Sequence, residues 1–179
     1  MAKVKFGVSN LHYAVKSASG YGTPVAIPGT VTITITPAGS TAVFYADNIK
    51  YFTSVSNQGY TGSIEVAILP DKFYEDVFGV TTDTNKVSAE LANVQPKQVA
   101  LLFQEETDEG TPTYYALYNV TMSRPEHTFA TTEEGIEVKT VTSEFESAAS
   151  DDHCTLRWTH DDTPKETLDG WYTTVYAGV

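Results

Sequence analysis

His153, Cys154 and His160, followed by Asp161 and Asp162, form the densest run of potential metal ligands in the sequence. One thiol and two imidazoles at this spacing match none of the Cys/His patterns that hold a structural zinc ion. On a strand, the neighbours His153 and Cys154 point to opposite faces. The run therefore reads as a core cysteine between surface histidines. The acidic pairs Glu105-Glu106, Glu133-Glu134, Asp151-Asp152 and Asp161-Asp162 raise a second chemistry, glycoside hydrolysis. That reaction needs one carboxyl kept protonated by an apolar pocket while its partner stays ionised. All four pairs sit in polar, turn-rich sequence and read as solvated loops. No serine lies in a nucleophile elbow, and neither a P-loop nor a G-x-G-x-x-G string occurs. Asn119-Val120-Thr121 matches a glycosylation acceptor, but it falls inside a predicted strand. The expectation is a chain with no catalytic residue, no metal and no cofactor, and not an enzyme.

The elements that hold these residues are mostly strands. Val31, Ile33 and Ile35 alternate with Thr32, Thr34 and Thr36, and Ile64, Val66 and Ile68 alternate with Ser63, Glu65 and Ala67. That period of two gives each segment one apolar face. Residues 42–46 and 49–55 are two further strands joined at Asp47-Asn48, residue types that tolerate tight-turn dihedrals. One short helix is predicted from Asp71, read as its cap, to a stop at Gly79, with Phe73, Tyr74, Val77 and Phe78 fastening it to a sheet. Residues 99–103 form a continuous apolar run, consistent with a strand buried on both faces. Beyond a hairpin loop at residues 107–112, Tyr114, Ala116, Tyr118, Val120 and Met122 are expected to share one face. Residues 136–145 read as a strand with a bulge between Val138 and Val141. Residues 153–159 place Cys154, Leu156 and Trp158 on one side, and residues 171–176 read as a terminal strand. Residues 83–95 read as irregular.

Residues 1–30, with turn-forming Ser17-Ala18-Ser19-Gly20 and the breaker pair Pro28-Gly29, read as an N-terminal arm. No repeat or linker divides the 179 residues, so a single domain is expected over 1–179: the arm, then a β core over 31–179 that includes a C-terminal segment. Hydrophobic residues at 41%, charged residues at 19%, scarce Leu and plentiful Val, Thr, Tyr and Phe favour a globular, mostly β chain. The lone Cys154 excludes an intrachain disulfide. No apolar leader or membrane-spanning run is legible, so synthesis in a cytoplasm is expected, without a membrane partner. The net charge of −12 is unevenly spread. Lys3, Lys5, Lys16 and Lys50 against Asp47 alone give residues 1–60 a net of +3, leaving −15 for the rest. Such a split favours docking of one part of the chain on another part or on a neighbour. The lack of a basic stripe argues against gripping phosphate backbones.

Several strings go further than composition. Asn10-Leu11-His12-Tyr13-Ala14-Val15, Tyr21-Gly22-Thr23-Pro24-Val25, Phe44-Tyr45-Ala46-Asp47-Asn48 and the run from Asn57-Gln58-Gly59-Tyr60 to Glu65-Val66-Ala67 occur in that order. Leu69-Pro70-Asp71, Pro96-Lys97 leading to Ala100-Leu101-Leu102-Phe103, Leu117-Tyr118-Asn119-Val120, Ser123-Arg124-Pro125 and Trp171-Tyr172 follow. Together they resemble the major tail proteins of long-tailed phages and prophages of Gram-positive bacteria. The resemblance implies an antiparallel β-sandwich or barrel with one short flanking helix, an extended N-terminal arm and an extended loop. It implies six-subunit rings that stack into a tube in the virion, around a tape-measure protein and between tail terminator and distal tail proteins. Double-stranded DNA then passes transiently through the tube. The chain is expected to lack the additional C-terminal immunoglobulin-like domain of some relatives.

The resemblance also implies where assembly residues lie: in the arm, in the loop over residues 37–57 and in the C-terminal segment. The candidates are Lys3, Lys5, Lys16, Tyr45, Asn48 and Tyr51. A lumen that DNA slides through should carry carboxylates and few cations, because each Lys–phosphate contact adds attraction. Glu65, Glu137 and Glu144 stand on polar strand faces and are the lumen candidates. The competing reading is a carbohydrate- or protein-binding β-sandwich, which would account for the abundant tyrosines.

Overall fold

The computed structural model describes residues 4–127, 129, 131, 139–150 and 152–178. The apolar run predicted to be buried on both faces is the centre of the molecule: Val99, Ala100, Leu101 and Leu102 are fully buried. In chain order the strands are β1 (Lys5–Ser17), β2 (Gly20–Tyr21), β3 (Val25–Ala26), β4 (Thr30–Ala38), β5 (Thr41–Ala46), β6 (Ile49–Val55) and β7 (Gly59–Val66). Helix α1 (Asp71–Phe78) follows, then β8 (Thr81–Thr82), β9 (Ser88–Ala89), β10 (Val99–Thr107), β11 (Thr113–Met122), β12 (Val141–Ser147), β13 (Leu156–Trp158) and helix α2 (Lys165–Asp169). The main sheet runs β2-β1-β10-β11-β12-β7-β4, with β3 added to β1 and β13 to β11. All of its pairings are antiparallel.

The sheet splits along β11, which pairs β13 through Tyr115 to Leu117 and β12 through Val120 to Met122. The β12-β7-β4 half then faces the β1-β10 half. Ile64, Val66 and Phe145 from the first meet Leu11, Tyr13, Leu101 and Phe103 from the second in one core. The fold is therefore mostly β, an antiparallel sandwich with a short helix on its flank. Helix α1 packs Phe73, Val77 and Phe78 into the same core, and Phe73 stands edge-on to Tyr13 at 4.9 Å between ring centres. The helix stops at Gly79, whose φ of 65° is the left-handed conformation that glycine adopts without a Cβ penalty. Its N-cap is Pro70 and not Asp71, which is the first helical residue and makes no side-chain cap bond. A second, smaller core covers the outer face of β1, β10 and β11, where Trp171 and Val175 lie over Ala14, Ala100, Leu102, Ala116 and Tyr118.

Several expectations are corrected. Residues 5–17 are not an arm: they form β1, paired with β10 from Lys5↔Thr107 to Val15↔Val99 and contributing Leu11, Tyr13 and Ala14 to the interior. Residues 171–176 are not a strand; they follow α2 as turns and are held by burial of Trp171 and Val175. Strand β11 does not keep one face. Asn119 adopts φ 46° and the register slips by one between Val99↔Val120 and Leu101↔Leu117. Tyr114, Ala116 and Tyr118 therefore face the smaller core, whereas Val120 and Met122 face the larger one. A second irregularity, between Thr30 and Thr32, leaves Val31 exposed while Ile33 and Ile35 turn inward. Ile68 and Trp158 are also exposed, so the 64–68 and 154–158 faces are shorter than their alternation implied. Glu105 and Glu106 lie within β10 and not in a loop. The predicted bulge near Val138 and the start of that strand lie outside the described residues. Among the described residues no helix is long and apolar enough to cross a membrane.

Buried phenols set an upper pH limit on this core. Tyr13 is fully buried and donates to Asp76 Oδ2 at 2.9 Å. Burial first, then the bond to Asp76 and its charge, pushes the phenol well above its ordinary range. Burial raises Tyr118 in the same direction. Folded chains thus hold protons that unfolded chains release near pH ~10. The stabilisation is fully present below that pH and falls as pH rises above it, by up to about 1.4 kcal/mol per pH unit for each phenol. The urea midpoint should therefore be level from about pH 8 to about pH 9.5 and drop steeply beyond about pH 10; a level midpoint through about pH 11.5 would contradict this account.

Candidate functional site

Strands β5 and β6 form a separate two-stranded sheet that pairs with no other strand among the described residues. Asp47 and Asn48, with φ of 52° and 60°, make a two-residue turn closed by the Ala46↔Ile49 pair. Positive φ at both central positions is what a type I′ hairpin requires, and Asp and Asn reach it more readily than other side chains. At its base, Ser56 N–H donates to the Ser40 carbonyl at 2.9 Å and Gln58 N–H to the Ala38 carbonyl at 2.8 Å. The β4/β7 ladder therefore runs on into β5/β6 as one ribbon, and the hairpin extends about 20 Å past its base at ~3.3 Å per residue.

The hairpin is unusual in what it leaves in water. Val43, Phe44, Tyr45, Ile49, Tyr51, Phe52 and Val55 are all exposed, Tyr45 to 65%, Tyr51 to 71% and Val55 to 75%. Phe44 and Tyr51 touch edge to face at 6.4 Å, and the only charges are Asp47 and Lys50. A lone two-stranded hairpin is marginal in water. A contiguous apolar patch of this kind marks an interaction surface, whereas scattered exposed apolar residues do not. Tyr45, Asn48 and Tyr51, singled out from the sequence, all lie here. Phe44, Ile49 and Phe52 were missed; the signal was the absence of polar alternation along both strands, which leaves no face suited to water.

A second surface lies on the outer side of β12, β7 and β4. The register places Glu146, Thr61 and Thr36 in one row, Glu144, Ser63 and Thr34 in the next, and Thr142, Glu65 and Thr32 in the third. Thr121 continues the first row onto β11. Directly opposed residues share a face, so these positions make one hydroxyl-rich sheet face carrying Glu65, Glu144 and Glu146, with no Lys or Arg among them. Thr140 donates to Glu65 Oε1 at 2.6 Å. Gly62 on β7 lets the strands approach closely: a Cβ there would overlap the Thr34 carbonyl and the Phe145 ring. Glu65 and Glu144 thus lie on one sheet face. Glu146 was missed because its strand runs on to Ser147, past the predicted end at 145. Glu137 lies outside the described residues.

The lysines behave differently. Lys5 pairs with Glu105 at 3.4 Å and donates to the Tyr115 hydroxyl, a bond that, ahead of the Glu105 charge, raises its pKa. Lys16 donates to Asn119 Oδ1 at 2.8 Å. Both are occupied within their own chain, so the positive end of the sequence is met by the chain's own acceptors; Lys3 lies outside the described residues. The residues of the metal candidate do not converge. Cys154 accepts from Arg157 Nε at 3.2 Å beside the smaller core, while His153 and His160 are exposed. Among the described residues no group of three or more His, Cys, Asp and Glu could hold a metal ion. Asp152 pairs with Arg157, and its carboxyl is held below the ordinary range first by the Ser150 hydroxyl. Asn119 is buried and bonded through both ends of its carboxamide, which removes it as a glycan acceptor.

No family model matches the chain, and no curated protein matches it. Among solved structures, one described as the cryo-EM structure of the anti-feeding prophage (AFP) baseplate, six-fold symmetrised, overlaps at a TM-score of 0.45 and 9% identity, covering 89% of this chain and 93% of that chain. An overlap that distant carries no functional conclusion.

Proposed function

We propose that this chain is a structural subunit of a phage tail tube: six copies form a ring, rings stack, and the tube conducts double-stranded DNA. The observation that carries the reading is the unpartnered apolar hairpin, whose aromatics nothing among the described residues of their own subunit covers. The cation-free carboxylate face fits the same role. Lining a lumen, it would repel a duplex weakly, since unit charges at ~4 Å interact by only about 1 kcal/mol in water. The ordered sequence strings that resemble those of major tail proteins support the assignment. In this reading the partners are further copies of the chain, a tape-measure protein, and the tail terminator and distal tail proteins at the tube ends. The site of action is the virion.

Negative-stain imaging of purified protein at increasing concentration tests it. Rings or tubes with a central channel are expected, with the β12-β7-β4 face lining that channel in an averaged reconstruction. Dispersed monomers at every concentration would overturn the reading and return the chain to the class of binding modules.

A further inference from the structure

The sandwich is not closed on its β4 side. A cleft of about 350 Å³ opens there, lined by Ile33, Ile35, Pro37, Tyr60, Leu156 and Glu105 among others. Ile33 and Ile35 point inward yet stay half-buried, so the seam is apolar and only partly covered. Its volume lies at the low end of the roughly 300–1,000 Å³ that a well-seated ligand group occupies. Glu105 is the carboxylate in the cleft lining; its Oε2 pairs with Lys5 at 3.4 Å and accepts from the Tyr115 hydroxyl at 3.0 Å, so Oε1 is the oxygen left for a further cation.

We propose that this cleft receives the hairpin of a second copy of the chain, with the Tyr45 ring in the apolar seam and the Lys50 ammonium against Glu105. The proposal rests on the tail-tube reading and names the acceptor for its hairpin. Three observations carry it. Tyr45 and Lys50 are directly opposed across β5 and β6, so an aromatic ring and a cation leave the hairpin on one face. The cleft offers the complement, an apolar wall beside a carboxylate. The hairpin cannot satisfy its own cleft: Pro37 and Tyr60 are paired at the ribbon's base and themselves line the cleft, and the tip lies about 20 Å along the ribbon from them. A donor on one surface and an acceptor on another make a head-to-tail contact, which repeats into a ring or a filament and does not stop at a dimer.

Engineered cysteines test the contact. A donor carrying Val43→Cys, two residues from Tyr45 along β5, keeps Tyr45 and Lys50; it is mixed with an acceptor carrying Pro37→Cys, both in a Cys154→Ser background, and oxidised under assembly conditions. Thr34→Cys, exposed on the carboxylate face, is the control acceptor. The expected result is a disulfide-linked heterodimer with Pro37→Cys at about ten times the yield obtained with Thr34→Cys, an approximately 1.4 kcal/mol preference. Equal yields from the two acceptors, or tubes that form with no cross-link at Pro37→Cys, would overturn the cleft assignment and leave the tail-tube reading standing. If the unaltered chain assembles at no concentration, both fall.

Discussion

A chain whose residues 41–55 are replaced by a short Gly-Ser link is expected to keep its fold and lose assembly altogether. The fold is expected to survive because, among the described residues, β5 and β6 pair only with each other and none of their residues belongs to either core. Assembly should fail because the variant loses Phe44, Tyr45, Tyr51 and Phe52 together. A fully buried aromatic is worth about 1.5–3 kcal/mol, and truncation at the centre of an interface commonly costs 2 kcal/mol or more. Two such losses per contact weaken association by roughly a thousandfold, since every ~1.4 kcal/mol is a factor of ten. Sedimentation and imaging should show monomers at concentrations where the parent chain is expected to form tubes, while the variant keeps a single cooperative unfolding transition. Normal long tubes from the excised chain would remove the hairpin from any account of stacking.

The second large effect is on stability. Asn119→Ala is expected to cost about 3–4 kcal/mol, because it combines several losses at one buried point. Asn119 is 6% exposed. Its Oδ1 accepts from Lys16 Nζ at 2.8 Å and from the Tyr21 hydroxyl at 2.9 Å, and its Nδ2 donates to the Ala149 carbonyl at 2.7 Å. Alanine leaves an ammonium and a carbonyl short of partners and also strains the left-handed backbone, where φ is 46°. Asn119→Gly separates the two contributions: it relieves the strain and should recover about 1 kcal/mol, with the bonding loss remaining. Urea denaturation of the three proteins measures both. A loss below about 1 kcal/mol for the alanine variant would show that water replaces the carboxamide at no cost.

That residue also shows where sequence pattern stops being informative. The ribbon from Thr30 to Val66 was legible because its chemistry is local: threonine alternation sets the faces of β4, and Asp47-Asn48 fixes a two-residue turn. The helix end at Gly79 was legible for the same reason. Strand β1 was not, because left-handed Gly7 and Asn10 and two register shifts reset its apolar phase twice within thirteen residues. The period of two therefore never runs long enough to be seen. Asn119 does the same inside β11 and sends one strand into two cores. The tail end failed differently: Trp171 and Val175 are spaced as if on a strand or a turn, and only the waiting surface of Ala14, Ala100 and Leu102 decides between them. At the candidate surfaces, Tyr45 and Tyr51 could be named from the sequence, but Phe44 and Phe52 beside them were not, and Tyr13, which reads as exposed, is fully buried. The cleft could not, because it joins residues of β1, β4, β7, β10, β11 and β13 through long-range pairing alone.

The separation of the hairpin from both cores has a consequence for how such a chain can diverge. Substitutions at residues 41–55 meet no packing constraint inside the subunit, so the domain tolerates them as a stand-alone fold. In the proposed assembly they are constrained by what the hairpin touches on another copy. Inheritance therefore acts on two nearly independent sets of positions: the interior, where one change must be answered by a neighbour in the same chain, and the hairpin with its acceptor, where the answering change lies on a different surface of an identical molecule. A single mutation at either surface appears in every copy at once and alters every contact in the assembly, so these two surfaces should change seldom and in pairs, while the solvent-facing loops around them drift freely.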